Sequence, residues 1–322
     1  MKNKNILITV ILAFITFFMI LDPKQSIDAC FNGLKVWSTT LVPALFPFFF
    51  ITKILSELNV LHKLGSLFAP ITKKLYNVPG ISGYVYIMGI VSGYPVSAKI
   101  TSDLYKNNLI SKGQACRITA FTSTSGPLFV IGSVGIGMFL NKQLGFVILI
   151  SHILGAFLNG LIYRNYMKDE NTCISPTQTA KTNENMLENC MLASIKSVLV
   201  VGGYVCFFFM VITIINSTGI LAPINAFLAK IFNINYTTIS SLTNGLIEVT
   251  KGCFDLSLTT SSLKTLCVLA TGMISFGGFS IFLQSLTFLK SFNISTKYFL
   301  CVKLTQTIIS CVIAYVLAII LL

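Results

Sequence analysis

Apolar runs at residues 6–21, 36–55, 117–139, 143–163, 195–216, 265–289 and 298–322 match the length needed to cross about 30 Å of bilayer hydrocarbon. A chain built from such runs is an all-α polytopic membrane protein. Its composition agrees: 54% of residues are hydrophobic and 10% charged, where a soluble domain carries roughly 25% charged residues. An ordinary cytosolic enzyme, a disordered tail and a disulfide-stapled secreted module are all excluded. The excess of 23 Lys+Arg over 10 Asp+Glu, a net +13, is expected in loops on one side of the membrane and implies no nucleic-acid partner.

The N-terminus places Lys2 and Lys4 before the run Ile6–Leu21. Asp22-Pro23-Lys24 then stands where a secretory signal would have a small-residue cleavage site. The segment reads as an uncleaved span with its N-terminus inside. A polar stretch divides the remainder. The organisation is residues 1–35 as an N-terminal transmembrane helix and loop, 36–164 as a first repeat, 165–194 as a polar cytoplasmic linker and 195–322 as a second repeat. Segments 60–77 and 218–233 mix apolar and polar residues at helical spacing and read as interfacial amphipathic helices. The nine cysteines form no CxxC pair, so they read as small apolar residues, with no metal site.

The repeat rests on paired blocks. Ser92–Lys99 (SGYPVSAK) aligns with Asn244–Lys251 (NGLIEVTK) at an offset of 152, and the same offset sets Phe121–Gly126 on Met273–Gly278. Each block breaks an apolar segment with Gly, Pro or hydroxyl residues, which membranes tolerate only where backbone is buried in protein or lines a cavity. Length leaves two readings of 80–108 and 234–263, kinked span or re-entrant hairpin. Charge separates them. With both as hairpins, 17 of the 23 cations lie inside, Lys303 among them, and 6 outside; with both spanning, the split is 11 to 12. The positive-inside rule favours hairpins. The two repeats then run in opposite orientations, an inverted-repeat, transporter-like core with two re-entrant hairpins and broken helices.

Such a core places its site where half-helix ends meet. The candidate ligand-binding residues are Ser92, Gly93, Pro95, Ser97 and Lys99 at the first hairpin, and Ser123, Ser125 and Gly126 at the first broken helix. Their counterparts are Asn244, Glu248 and Thr250, then Ser275 and Gly277. The competing reading is that these small residues serve close helix packing. Glu248 is the one acid within an apolar-flanked break, and acids are costly there; it is expected to bind a cation, a proton or a ligand hydroxyl, the alternative being a pair with Lys251. Lys99 offers a counter-charge for an anionic group or a snorkelling lysine. Asp255 is expected at the outer rim, His152 as a hydrogen-bonded structural histidine rather than a relay, and His62 at the interface. Trp37, Tyr163 and Tyr166 read as interfacial anchors. No Walker loop, HExxH or GxSxG occurs, so neither catalytic residues nor a cofactor is expected, and the chain is read as no enzyme.

The series LVPALFPFFF (41–50), NVPGISGYVYIMGIVSGYPVSAK (77–99), FTSTSGPLFVIGSVGIG (121–137) and GLIEVTKG (245–252) resembles the sporulation integral membrane protein YlbJ family. That family carries the Gate, or nucleoside-recognition, domain shared with concentrative nucleoside transporters. The resemblance implies a multi-pass protein of mother-cell or forespore membranes, needed for spore cortex and heat resistance, with other sporulation membrane proteins as partners. It also implies a ribose-binding acid in the second hairpin, matched in position by Glu248, and a second broken helix containing Ser275. The first hairpin departs from the transporter pattern, with SGYPVSAK where amide and acidic residues are expected. Two functional readings follow: a transporter-like core that binds or moves a small polar solute, or a non-transporting scaffold for spore-envelope assembly. A lipid or precursor carrier is a third.

Hairpin topology is tested by Lys99→Cys in a cysteine-free background. Labelling by an impermeant maleimide is expected only from the cytoplasmic side; labelling from outside contradicts the hairpins.

Overall fold

The computed structural model describes residues 2–58, 60–168 and 185–322, without the side chains of 2–5, 7, 8, 61 and 62. The expectation for His62 and the greater part of the 165–194 linker, including Cys173, lie outside the described residues and side chains.

Helix α1 (Lys2–Leu21) is followed directly by α2 (Pro23–Val36). The expected loop at the end of the 1–35 segment is therefore helical. The Asp22 carboxylate accepts the Gln25 N–H at 3.0 Å, and Pro23 occupies the first turn, where its missing N–H costs nothing. α2 runs through a π-helical turn at 37–41 into α3 (Val42–Glu57), giving one apolar column of 35 residues. Its small face packs on α9 (Met186–Ser217): a Cβ on Gly33 would sit 2.9 Å from the Cys206 Cα. Trp37, expected as an interfacial anchor, is engaged with α9. It sits mid-column, donates its indole N–H to Val198 O at 3.0 Å and covers Gly202.

After α3 come α4 (Val60–Tyr76), the pair α5 (Ser82–Ser92) and α6 (Val96–Lys106), then α7 (Lys112–Thr122). A break at 123–126 leads to a π-helical segment, Leu128–Met138, and the unbroken α8 (Lys142–Tyr163). After α9 the order recurs: α10 (Ala222–Phe232), the pair α11 (Tyr236–Ile247) and α12 (Val249–Ser257), the interrupted α13 (Leu263–Phe276) and α14 (Gly278–Leu289), and the unbroken α15 (Thr296–Leu321). α9 begins inside the stretch read as linker, nine residues before the expected span at 195. α10 exposes Ile224, Phe227 and Ile231, as an interfacial helix would. Among the described residues, five helical stretches are long and apolar enough to cross a membrane, and the chain is a multi-span membrane protein.

α8, α13 and α15 pack together at the centre. Asn159 on α8 donates to Ala120 O at 2.9 Å and Val302 O at 3.1 Å and accepts from Thr305 at 2.6 Å, joining α7, α8 and α15. The buried Arg117 guanidinium donates to Tyr166 O and Met167 O at 2.7 and 2.8 Å, capping the chain where it leaves α8. Tyr166 stacks on Tyr298, centroids 4.1 Å apart.

The α11–α12 pair closes through two glycines. A Cβ on Gly252 would lie 2.2 Å from the Gly245 Cα, while one on Gly203 of α9 meets nothing within 4 Å. Backbone cannot give way as a side chain can, and overpacking costs about 1–3 kcal/mol. Gly252→Ala is therefore expected to lower the melting temperature of the purified protein by several degrees, with Gly203→Ala unchanged or slightly higher; equal melting of the two contradicts the glycine seam.

Candidate functional site

A helix that stops inside an apolar region leaves its last carbonyls and first amides without partners. In the first break Thr124 N–H returns to Thr122 O at 2.9 Å, and Thr124 O accepts the Tyr94 amide at 2.7 Å from the tip of the α5–α6 pair. Ser123 O, at the end of α7, accepts from the Gln306 amide at 3.2 Å and the Lys303 ammonium at 3.4 Å; the same ammonium lies 3.2 Å from Ser123 Oγ. Ser125 N–H donates to His152 Nε2 at 2.8 Å. Three elements meet the interruption: the α5–α6 tip through Tyr94, α15 through Lys303 and Gln306, and α8 through His152.

The second break is narrower. Gly277 and Gly278 both have positive φ, +85° and +70°, a conformation that L side chains adopt only at a cost. A Cβ on Gly278 would also lie 3.0 Å from Gly245 O and 3.2 Å from Val249 N, so the break rests on the tip of the α11–α12 pair. Ile274 O accepts the Tyr94 hydroxyl at 3.2 Å, carrying the first hairpin tip across to the second broken helix. His152 makes the other crossing, with Nδ1 2.9 Å from Ser275 Oγ. Because a backbone N–H can only donate, Nε2 is the acceptor nitrogen, the imidazole is neutral and its proton sits on Nδ1, pointing at Ser275. The fully buried His152 is thus a structural bridge between the two interruptions.

Glu248 alone interrupts the α11–α12 pair, in extended conformation at φ −143°. It is 4% exposed, and its carboxylate accepts the Lys251 N–H at 2.8 Å, capping α12. Its expected alternative partner is engaged elsewhere: the Lys251 ammonium pairs with Asp255 and lies 5.2 Å from the Phe209 ring centroid. Asp255 also accepts from Asn244 at 2.8 Å, and Asn244 from Asn216 of α9 at 3.2 Å. Asp255, expected at the outer rim, is therefore tied into the α11–α12–α9 contact.

Of the expected residues, the structure joins Ser123, Ser125 and Ser275 through Lys303 and His152. Gly93 is pressed against Gly126, a Cβ there lying 2.6 Å from Gly126 N. Asn244, Glu248 and Thr250 are buried at the second tip, Gly277 touches the Tyr94 ring, and Ser92 and Pro95 flank the first tip half-buried. Ser97 is buried beside a cavity of about 10 Å³ lined also by Thr119, Thr122 and Ser123, room for about one water. Lys99 is exposed on α6 and apart from this cluster.

Sequence reasoning missed Tyr94, Gln306 and above all Lys303. Counted among the cytoplasmic-side cations, Lys303 is 1% exposed and lies in the core, because its face of α15 packs on the first break. A signal was present: it is the one cation in the 298–322 run, with Gln306 three residues on, on the same helical face.

Residues 38–139 match the Gate family, described as nucleoside recognition. The chain is 28% identical to the sporulation integral membrane protein YlbJ of Bacillus subtilis (strain 168), over 339 aligned positions covering 98% of this chain and 83% of that protein. Among solved structures, its fold is similar to that of CNTnw in an inward-facing substrate-bound state, with a TM-score of 0.60 and 12% identity over 98% of this chain and 86% of the other. The resemblance read from the residues is borne out: this is a multi-span membrane protein of transporter-like fold that carries the Gate match and is similar, over nearly its whole length, to a sporulation integral membrane protein.

Proposed function

We propose that the chain is a non-enzymatic sporulation membrane protein, required for the spore cortex and heat resistance, whose core binds or moves a small polar solute between its two interruptions. The observation that supports it most is the convergence of two broken helices and two helical pairs on one buried polar centre, joined by Tyr94 and His152. Residues used only to pack helices do not require interrupted backbone, which is costly in an apolar setting. Glu248 faces this centre from the second tip and supplies a carboxylate that can accept from a ligand hydroxyl or hold a cation. The recurring element order supports two repeats, 36–164 and 195–322, running in opposite orientations with the N-terminus and the intervening linker cytoplasmic. The similarity to CNTnw and the Gate description favour nucleosides as the first solutes to try, while the SGYP tip supplies no carboxylate or carboxamide side chain of its own.

A second reading, a scaffold that no longer transports, is favoured by one feature. The cavity beside the first break has room for about one water, so a solute larger than water requires the tips to part to enter there.

Glu248→Gln separates the two, since the amide oxygen can still cap α12 while the charge is lost. In a sporulating host lacking its own copy, this variant is expected to accumulate normally yet fail to give heat-resistant spores; heat-resistant spores at wild-type frequency favour the scaffold. Thermal melting of the purified protein with nucleosides, divalent cations and cell-wall precursors at millimolar concentration is expected to show one class that raises the wild-type melting temperature and leaves Glu248→Gln unmoved. No stabilisation by any class counts against a solute site.

A further inference from the structure

Lys303 is an ammonium buried within the core, 1% exposed, and among the described residues it contacts no carboxylate. The ion pair found among the described residues is Lys251–Asp255, on another element. An unpaired buried charge is costly, so its surroundings must substitute for water. They are Ser123 O at 3.4 Å, Ser123 Oγ at 3.2 Å and the face of the Tyr94 ring, 5.5 Å to the centroid. Ser123 closes α7, whose free carbonyl end carries the partial negative charge of the helix dipole. An aromatic face is likewise negative and attracts ammonium groups. The Gln306 amide binds the same carbonyl, and its own Oε1 is buried with no hydrogen-bond partner among the described residues. Carbonyl, hydroxyl and π face form a shell suited to a monovalent cation rather than an anion.

We propose that this shell is a monovalent-cation site at the carboxyl end of α7, and that Lys303 fills it from within the chain as a tethered cation. Lys303 stands 180 residues from Ser123, and its ligand Tyr94 belongs to the α5–α6 tip. The ammonium therefore holds three elements in one place: the end of α7, that tip and α15. The site stands whether or not the core moves a solute, because it concerns how the first break is kept closed. Lys303 acts here as a positioning residue, through Ser123 and Tyr94.

Truncation of the side chain should open the site to a free cation of similar chemistry. The experiment uses full-length Lys303→Ala purified in detergent and melted at constant ionic strength with methylammonium, ethylammonium or tetramethylammonium chloride, and with neutral 1-propanol. The variant is expected to melt several degrees below wild type, with ethylammonium at tens of millimolar restoring at least half of the loss. Tetramethylammonium and propanol should restore none, and wild type should not respond. Equal rescue by propanol, or an equal shift of wild type by ethylammonium, overturns the proposal. Should Lys303→Ala fail to accumulate, Lys303→Met keeps the length without the charge. Hydrogen–deuterium exchange over 92–96 and 119–128 is then expected to be at least fivefold faster than in wild type, with α9 unchanged. Unchanged exchange in those two segments overturns the proposal equally.

Discussion

Every free peptide group in an apolar interior must find a partner, and this requirement organises the centre of the molecule. α7 and α13 each stop partway, exposing carbonyls and amides that water would satisfy elsewhere. The protein supplies the partners from distant elements: the Tyr94 amide and hydroxyl, the His152 imidazole, the Gln306 amide and the Lys303 ammonium. The breaks are thus the reason the helices around them are held in one arrangement. Loss of any of these partners strands a polar group where stranding is expensive.

The two halves of the centre have different electrostatics. The first break is built around a cation, with neutral oxygens and a ring gathered at the end of α7. The second tip is built around acids: Glu248 caps α12, while Asp255 holds Lys251 and Asn244. His152 lies between the two, neutral, spanning Ser125 and Ser275.

Much of this was legible in the residues. Glycine, proline and hydroxyl side chains inside apolar runs mark interruptions at Ser92–Ser97, Thr122–Pro127, Asn244–Thr250 and Ser275–Gly278, because a lipid-facing helix has no other use for so many backbone-loosening residues. Glu248 stood out because so few acids lie within apolar segments. Other features were hidden. α2 looked like a loop because its polar residues mask a face of Ser26, Ala29, Gly33 and Val36, which acquires meaning only against α9. Trp37 looked like an anchor because aromatic position alone does not distinguish an interface from a groove floored by Gly202. Lys303 was placed with the surface cations because charge counting assumes that lysines reach water.

The sequence by itself marked which stretches are apolar enough to enter a membrane and where the backbone is interrupted, since hydropathy and glycine content are local properties. Only the tertiary structure decided what satisfies those interruptions. A hydrogen bond requires about 3 Å between its atoms, and the groups that meet at the breaks, Ser123 with Lys303 or His152 with Ser275, lie more than a hundred residues apart in the chain. Their pairing is set by how α8 and α15 pack against the broken helices, which no window of residues records.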